Sequence, residues 1–124
     1  MLSHYQMKEI PYLRILGRTN GSLEPVTLFW TASGIELNVK ATEICVKIRS
    51  DDDVCEAWVD VIVDGVLSQR LMVNKGEQEI CLFRNMERDK VRNVKLLCDT
   101  PAFPTDEKTL LQLLEVETDG EFLP

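Results

Sequence analysis

Histidine is almost missing from this sequence. His4 is the only one, and one imidazole near the start gives little material for a histidine-based catalytic pair or a metal cage. Aromatic side chains are scarce as well, at 6% of residues, so a broad stacking platform is poorly supplied. Lysine and arginine form no cluster and the formal net charge is -7. Nucleic acid and anionic membrane surfaces are therefore not expected as partners, because both need a positive patch against their phosphates. Met1 to Tyr12 contains no signal-peptide core, and no later apolar run reaches the length of a membrane span. As written, the chain is expected to be soluble and cytoplasmic; a natural start upstream of Met1 would make it extracellular instead. Cys45, Cys55, Cys81 and Cys98 lack the close pairs of a zinc site. Two disulfides are one use for them, but the missing export signal favours reduced, packed thiols. No cofactor is expected.

What the chain does contain is strand pattern. Ile35, Leu37 and Val39 alternate with Glu36, Asn38 and Lys40 after the flexible Ser33-Gly34, which describes a strand with one dry and one wet face. Val59, Val61 and Val63 alternate with Asp60, Ile62 and Asp64, and Asp64-Gly65 then supplies the positive φ values of a tight hairpin before Val66 begins the return. Further strands are expected at Ile15 to Arg18, Val26 to Trp30, Ile44 to Ser50, Cys55 to Asp64, Val66 to Val73, Glu77 to Phe83 and Val91 to Cys98. Turn signals separate them at Asn20-Gly21, Asp51-Asp52-Asp53, Lys75-Gly76 and Pro101 to Pro104. This pattern predicts one all-β domain of two packed antiparallel sheets, jelly roll or immunoglobulin-like, and 124 residues suffice for one such domain but not two. Its interior should hold Ile35, Leu37, Val39, Ile44, Val46, Ile48, Val59, Val61 and Val63. One segment reads two ways: Thr105-Asp106-Glu107 before Leu110, Leu111, Leu113 and Leu114 suits a capped helix, whereas Leu114, Val116 and Thr118 suit a strand ending at Asp119-Gly120.

The order of motifs resembles a known family. Gly17-Arg18, Trp30 with Ser33-Gly34-Ile35-Glu36, Val61-Ile62-Val63-Asp64-Gly65, Gly76-Glu77-Gln78 and a final Leu/Val strand closing at Asp119-Gly120 resemble the N-terminal domain of carbohydrate esterase family 2. The resemblance covers nearly the whole chain. It implies an all-β antiparallel two-sheet sandwich of jelly-roll type, placed before an SGNH-type hydrolase domain that deacetylates plant polysaccharide. It also implies that Thr109 to Thr118 is the last sandwich strand. Residues 1–14 are then an N-terminal tail or edge segment, 15–120 the accessory domain, and 121–124 the start of a linker to the esterase domain. The family's Gly-x-His pair after the Gly-Glu-Gln turn is replaced by Met86-Glu87-Arg88-Asp89-Lys90.

Catalytic machinery for that chemistry is not legible in these residues. Gly-Asp-Ser does not occur, and Ser33 lacks the preceding glycine of a nucleophile elbow. The chain alone is not expected to be an esterase. Asp51, Asp52, Asp53 and Glu56 offer oxygen ligands to a hard cation such as calcium, yet a solvated acidic loop is the preferred reading and no metal is assigned. Glu115 and Glu117 share a strand face and are too ordinary a pair for acid/base work. Trp30 is read as a core or edge anchor. Trp58 lies opposite the Val59, Val61, Val63 face, where it would stack on a sugar, meet a neighbouring domain or be buried at a junction. With Ile62, Phe122 and Leu123 it forms the candidate contact set for the esterase domain or for polysaccharide. A free-standing carbohydrate-binding module and a domain that forms homodimers in isolation are the alternatives.

Overall fold

The computed structural model describes residues 2–16, 26–28, 34–51, 57–73, 76–98 and 110–124. In chain order its strands are β1 (Ser3–Gln6), β2 (Arg14–Leu16), β3 (Val26–Leu28), β4 (Gly34–Lys40), β5 (Ile44–Asp51), β6 (Ala57–Val63), β7 (Val66–Val73), β8 (Gly76–Phe83), β9 (Val91–Cys98), β10 (Leu110–Thr118) and β11 (Glu121–Leu123). A single 3-10 turn at Met7–Glu9 follows β1. The strands form two antiparallel sheets, so the chain is an all-β sandwich. The first sheet runs β1-β10-β5-β8, with β3 also paired to β10. The second runs β11-β4-β9-β6-β7, with β2 also paired to β4.

One edge of each sheet is assembled from two short strands. β1 takes the Glu115 to Thr118 end of β10 and β3 the Leu111 to Leu113 end. Likewise β11 pairs with Asn38 to Lys40 and β2 with Gly34 to Glu36. Short edge segments offer little continuous backbone to another chain.

Period-2 burial fills the interior as the sequence pattern anticipates. Ile35, Leu37 and Val39 of β4, Ile44, Val46 and Ile48 of β5, and Val59, Val61 and Val63 of β6 are all buried. Ile80 and Leu82 of β8, Val94, Leu96 and Cys98 of β9, and Leu113 and Val116 of β10 join them in one cluster. Each such side chain removed from water contributes about 1.5–3 kcal/mol before the entropy of ordering is counted. At the hairpin from β6 to β7, Asp64 and Gly65 have φ values of 52° and 82°, as a two-residue turn of the primed type requires.

Of the two readings given for residues 1–14, tail or edge segment, Ser3–Gln6 form the edge strand β1, with His4 opposite Glu117. Two expectations need correction. Residues 121–124 do not start a linker, because Glu121–Leu123 form β11 on the edge of the second sheet. Gly34 is not a flexible hinge either: a Cβ there would lie 1.9 Å from the Leu96 carbonyl oxygen, so the residue is dictated by close backbone approach. Of the segment that read both as helix and as strand, Leu110–Thr118 form β10, and 105–109 lie outside the described residues. A register shift between Leu113 and Glu115 turns both Leu113 and Val116 inward, and this three-residue spacing is what imitates a helical period.

Candidate functional site

The outer face of the second sheet carries the surface most unlike ordinary solvated strand. Alternation on β6 turns Trp58, Asp60 and Ile62 away from the core. On β7 the directly paired residues are Met72, Arg70 and Leu67 respectively. On β9, Leu97 stands opposite Asp60 and Lys95 opposite Ile62. Leu67 is 58% exposed and Met72 43% exposed, whereas Trp58, Ile62 and Leu97 are half-buried. The result is an apolar strip with one ion pair set into it: Arg70 Nε lies 3.8 Å from Asp60 Oδ1, and its guanidinium stands 5.8 Å from the centre of the Trp58 ring.

A β-bulge makes this arrangement possible. From the hairpin, Val63 pairs with Val66 and Ile62 with Leu67, but Val61 pairs with Gln69. The extra residue on β7 restores Leu71 and Val73 to the interior and sends Arg70 and Met72 outward. Without it the alternation would point Arg70 into the core.

The rest of that face is polar and internally satisfied. Glu36 pairs with Arg14 at 3.1 Å and accepts from Asn93 Nδ2 at 2.9 Å, and Asn93 Nδ2 also reaches Asn38 Oδ1 at 3.0 Å. This contrast divides the face into an apolar half on β6, β7 and β9 and a hydrogen-bonded half on β4 and β9.

One end of the sandwich is fixed around Asp119. Its Oδ1 accepts the backbone N–H of Thr42 at 3.0 Å and of Glu43 at 3.2 Å, and its Oδ2 accepts the Thr42 hydroxyl. Arg88 Nη2 donates to Oδ2 at 2.9 Å and to the Asp119 carbonyl at 2.8 Å. Partial burial works against the charged carboxylate, but the Thr42 and Glu43 hydrogen bonds and the Arg88 charge outweigh it and bring the pKa down to about 2.

The sequence-level site residues are only partly brought together. Trp58 and Ile62 do share the outer face, two strand positions apart. Phe122 does not belong with them. It is 9% exposed, paired with Val39, and packs edge-on against the Tyr5 ring at 5.1 Å, so it is a core residue. Crossing at Asp119-Gly120 returns the chain to the second sheet, where alternation turns Phe122 inward. Leu123 is half-buried opposite Asn38, on the polar half of the face. Asp51 ends β5 opposite Leu110, whereas Asp52, Asp53 and Glu56 lie outside the described residues, as do Trp30, Ser33 and Cys55. Glu115 and Glu117 share a face with His4, whose Nδ1 is 3.2 Å from a carboxylate oxygen of each. Leu67, Met72, Arg70 and Leu97 were not singled out from sequence; counting register across Asp64-Gly65 would have approached them but for the bulge.

Fold and surface together define a β-sandwich domain with a half-apolar outer face. No family model and no curated protein matches the sequence. Solved structures do. An acetyl xylan esterase from the rumen bacterium Butyrivibrio proteoclasticus matches 99% of this chain over 33% of its own length, with 32% identity and a TM-score of 0.95. A family two carbohydrate esterase from Clostridium thermocellum matches 91% of this chain over 33% of its own length, with 25% identity and a TM-score of 0.76. The CBM36-1 domain of a multidomain xylanase from a Trinervitermes trinervoides hindgut metagenome covers 99% of this chain and all of its own, at 11% identity and a TM-score of 0.62, a likeness of fold alone. The resemblance read from the motif order holds: over nearly its whole length the chain is similar to one third of carbohydrate esterases of family two. It spans about a third of the length of the esterases it matches.

Proposed function

We propose that this chain is the non-catalytic N-terminal accessory domain of an esterase that deacetylates plant polysaccharide. In this reading it packs on an SGNH-type hydrolase domain of the same protein and shapes the substrate cleft. The observation that carries the reading is the match of almost the entire chain to one third of an acetyl xylan esterase at 32% identity. The apolar strip of Trp58, Ile62, Leu67, Met72 and Leu97 is the surface assigned to the hydrolase domain, since interfaces between domains of one chain are of this mixed, moderately apolar kind. Jelly-roll connectivity and action outside the cell belong to the same proposal.

A second reading, a free-standing carbohydrate-binding module, draws on the end-to-end match in fold to the CBM36-1 domain. The two separate cleanly in one experiment. Acetate release from acetylated xylan is measured for the parent protein and for the parent carrying Leu67→Asp with Met72→Glu, and binding of xylo- and cello-oligosaccharides to the isolated chain is measured by calorimetry. The accessory reading expects a parent protein that releases acetate, a several-fold loss in the double variant, and no saccharide binding by the chain alone. A parent without deacetylase activity, together with saccharide binding by the isolated chain, would overturn it in favour of the module.

A further inference from the structure

Cys45 and Cys81 face each other across the pairing of β5 with β8. Directly opposite residues in an antiparallel pair have Cα atoms about 4.5–5.5 Å apart, within the span that a disulfide bridges. Their Sγ atoms are 2.6 Å apart. Neither is in a disulfide, and Cys98 belongs to the interior cluster. Cys45 is buried but is not part of that cluster, because it points to the outer face of the first sheet. Cys81 is half-buried and lines an open cleft of about 380 Å³ together with Gln69, Arg84 and Met86. Gln69 Nε2 donates to the Cys81 carbonyl at 3.0 Å, so the edges of the two sheets meet at this cleft. Cys81 thus sits at the cleft where a small reagent can approach, with the buried Cys45 directly beside it.

We propose that Cys45 and Cys81 are a redox couple that closes into a cross-strand disulfide when the protein meets a low-molecular-weight disulfide such as oxidised glutathione. Cys81 is the attacking sulfur. It is the half-buried member of the pair and lines the cleft, Arg84 Nη2 donates to its Sγ, and the same guanidinium lies 3.9 Å from Glu43 Oε2. The Cys81 thiolate attacks one sulfur of the small disulfide, whose S–S bond breaks; the first small thiolate leaves with the proton given up by Cys81. Cys45 is hydrogen-bonded to Glu43 Oε2 at 3.8 Å. It then loses its proton to solvent and attacks Cys81 Sγ. The mixed bond breaks, the protein disulfide forms, and the second small thiolate takes up a proton. Two protein thiols lose two electrons and the small disulfide becomes two thiols. Burial, the contact with Cys81 and the nearby Glu79 and Glu43 carboxylates push the Cys45 thiol up, consistent with its acting second, on a neighbouring sulfur.

The full chain is incubated with oxidised glutathione, quenched, alkylated under unfolding conditions and mapped by mass spectrometry. The expected product has lost two hydrogen atoms and yields one linked peptide pair joining Cys45 to Cys81, with Cys98 alkylated. Closure of this 36-residue separation is expected to raise Tm by roughly 5–15 °C. Cys45→Ser is expected to stop at a stable glutathione adduct on Cys81; should that variant not fold, the wild-type map decides alone. Retention of two alkylatable thiols at these positions, a wild-type adduct that never resolves, or a bond to Cys55 or Cys98 would overturn the proposal. So would stoichiometric binding of zinc ion to the reduced protein that blocks oxidation, which would make the Glu43, Cys45, Cys81 group a metal site instead.

Discussion

The Asp119 carboxylate accepts both the backbone N–H and the hydroxyl of Thr42 across 77 positions of sequence. Those residues lie in the two connections that carry the chain from one sheet to the other, β4 to β5 and β10 to β11. One side chain therefore ties both crossovers at the same end, and Arg88 closes it from outside.

Asp119→Ala is expected to cost about 2–4 kcal/mol, since it orphans two backbone donors and a hydroxyl and removes the carboxylate partner of Arg88. Urea unfolding at neutral pH measures it. A loss below about 0.5 kcal/mol would show that the crossovers hold without this side chain.

The same carboxylate gives a pH signature. Its folded pKa of about 2 lies below the ordinary 3.8, so its stabilisation is complete above the higher value and is lost as pH falls toward the lower one. The depression is worth on the order of 2 kcal/mol. Wild-type protein should lose this amount relative to Asp119→Asn between about pH 4 and pH 2, and parallel stability curves for the two proteins would refute the assignment.

Gly120 should tolerate no side chain. A Cβ there would lie 1.9 Å from the Lys40 carbonyl oxygen and 2.4 Å from the Ala41 Cβ, both firmly held. Gly120→Ala is expected to destabilise by about 2 kcal/mol or more through forced separation of β11 from β4. A Tm equal to wild type would contradict the close approach.

Phe122 and Leu123 are adjacent and should behave oppositely. Phe122→Ala empties a core site beside Tyr5 and is expected to cost about 3–5 kcal/mol, while Leu123→Ala costs about 1 kcal/mol or less. Equal costs would mean that β11 does not dock as described.

How much of this was legible from sequence depended on local regularity. Where alternation runs unbroken, as in β4, β5 and β6, the buried set followed directly from the residue pattern. Where a strand carries an irregularity, it did not: near Leu114 one extra residue gives β10 a helical spacing, and on β7 another exchanges the faces of Arg70 and Leu71. Bulges are set by both partners of a ladder, and a single strand does not announce them. Phe122 was misplaced for a related reason. Asp119-Gly120 reads as an ending, but the chain makes only a crossover there, because Thr42, Glu43 and Arg88 supply partners from distant sequence. Alternation placed Trp58 and Ile62 on the outer face, as the strand shows, yet their neighbours Leu67, Met72 and Leu97 come from other strands and needed the register.

The account rests on the outer strip of β6, β7 and β9 being covered by a second domain of the same protein. Carbene footprinting of Trp58, Leu67 and Met72, read by mass spectrometry in the isolated chain and in the parent protein, tests that most directly. The account predicts strong labelling of all three in the isolated chain and at least several-fold protection in the parent, with exposed Val91 on the opposite end of β9 labelled alike in both. Equal labelling of the strip in both proteins would contradict it.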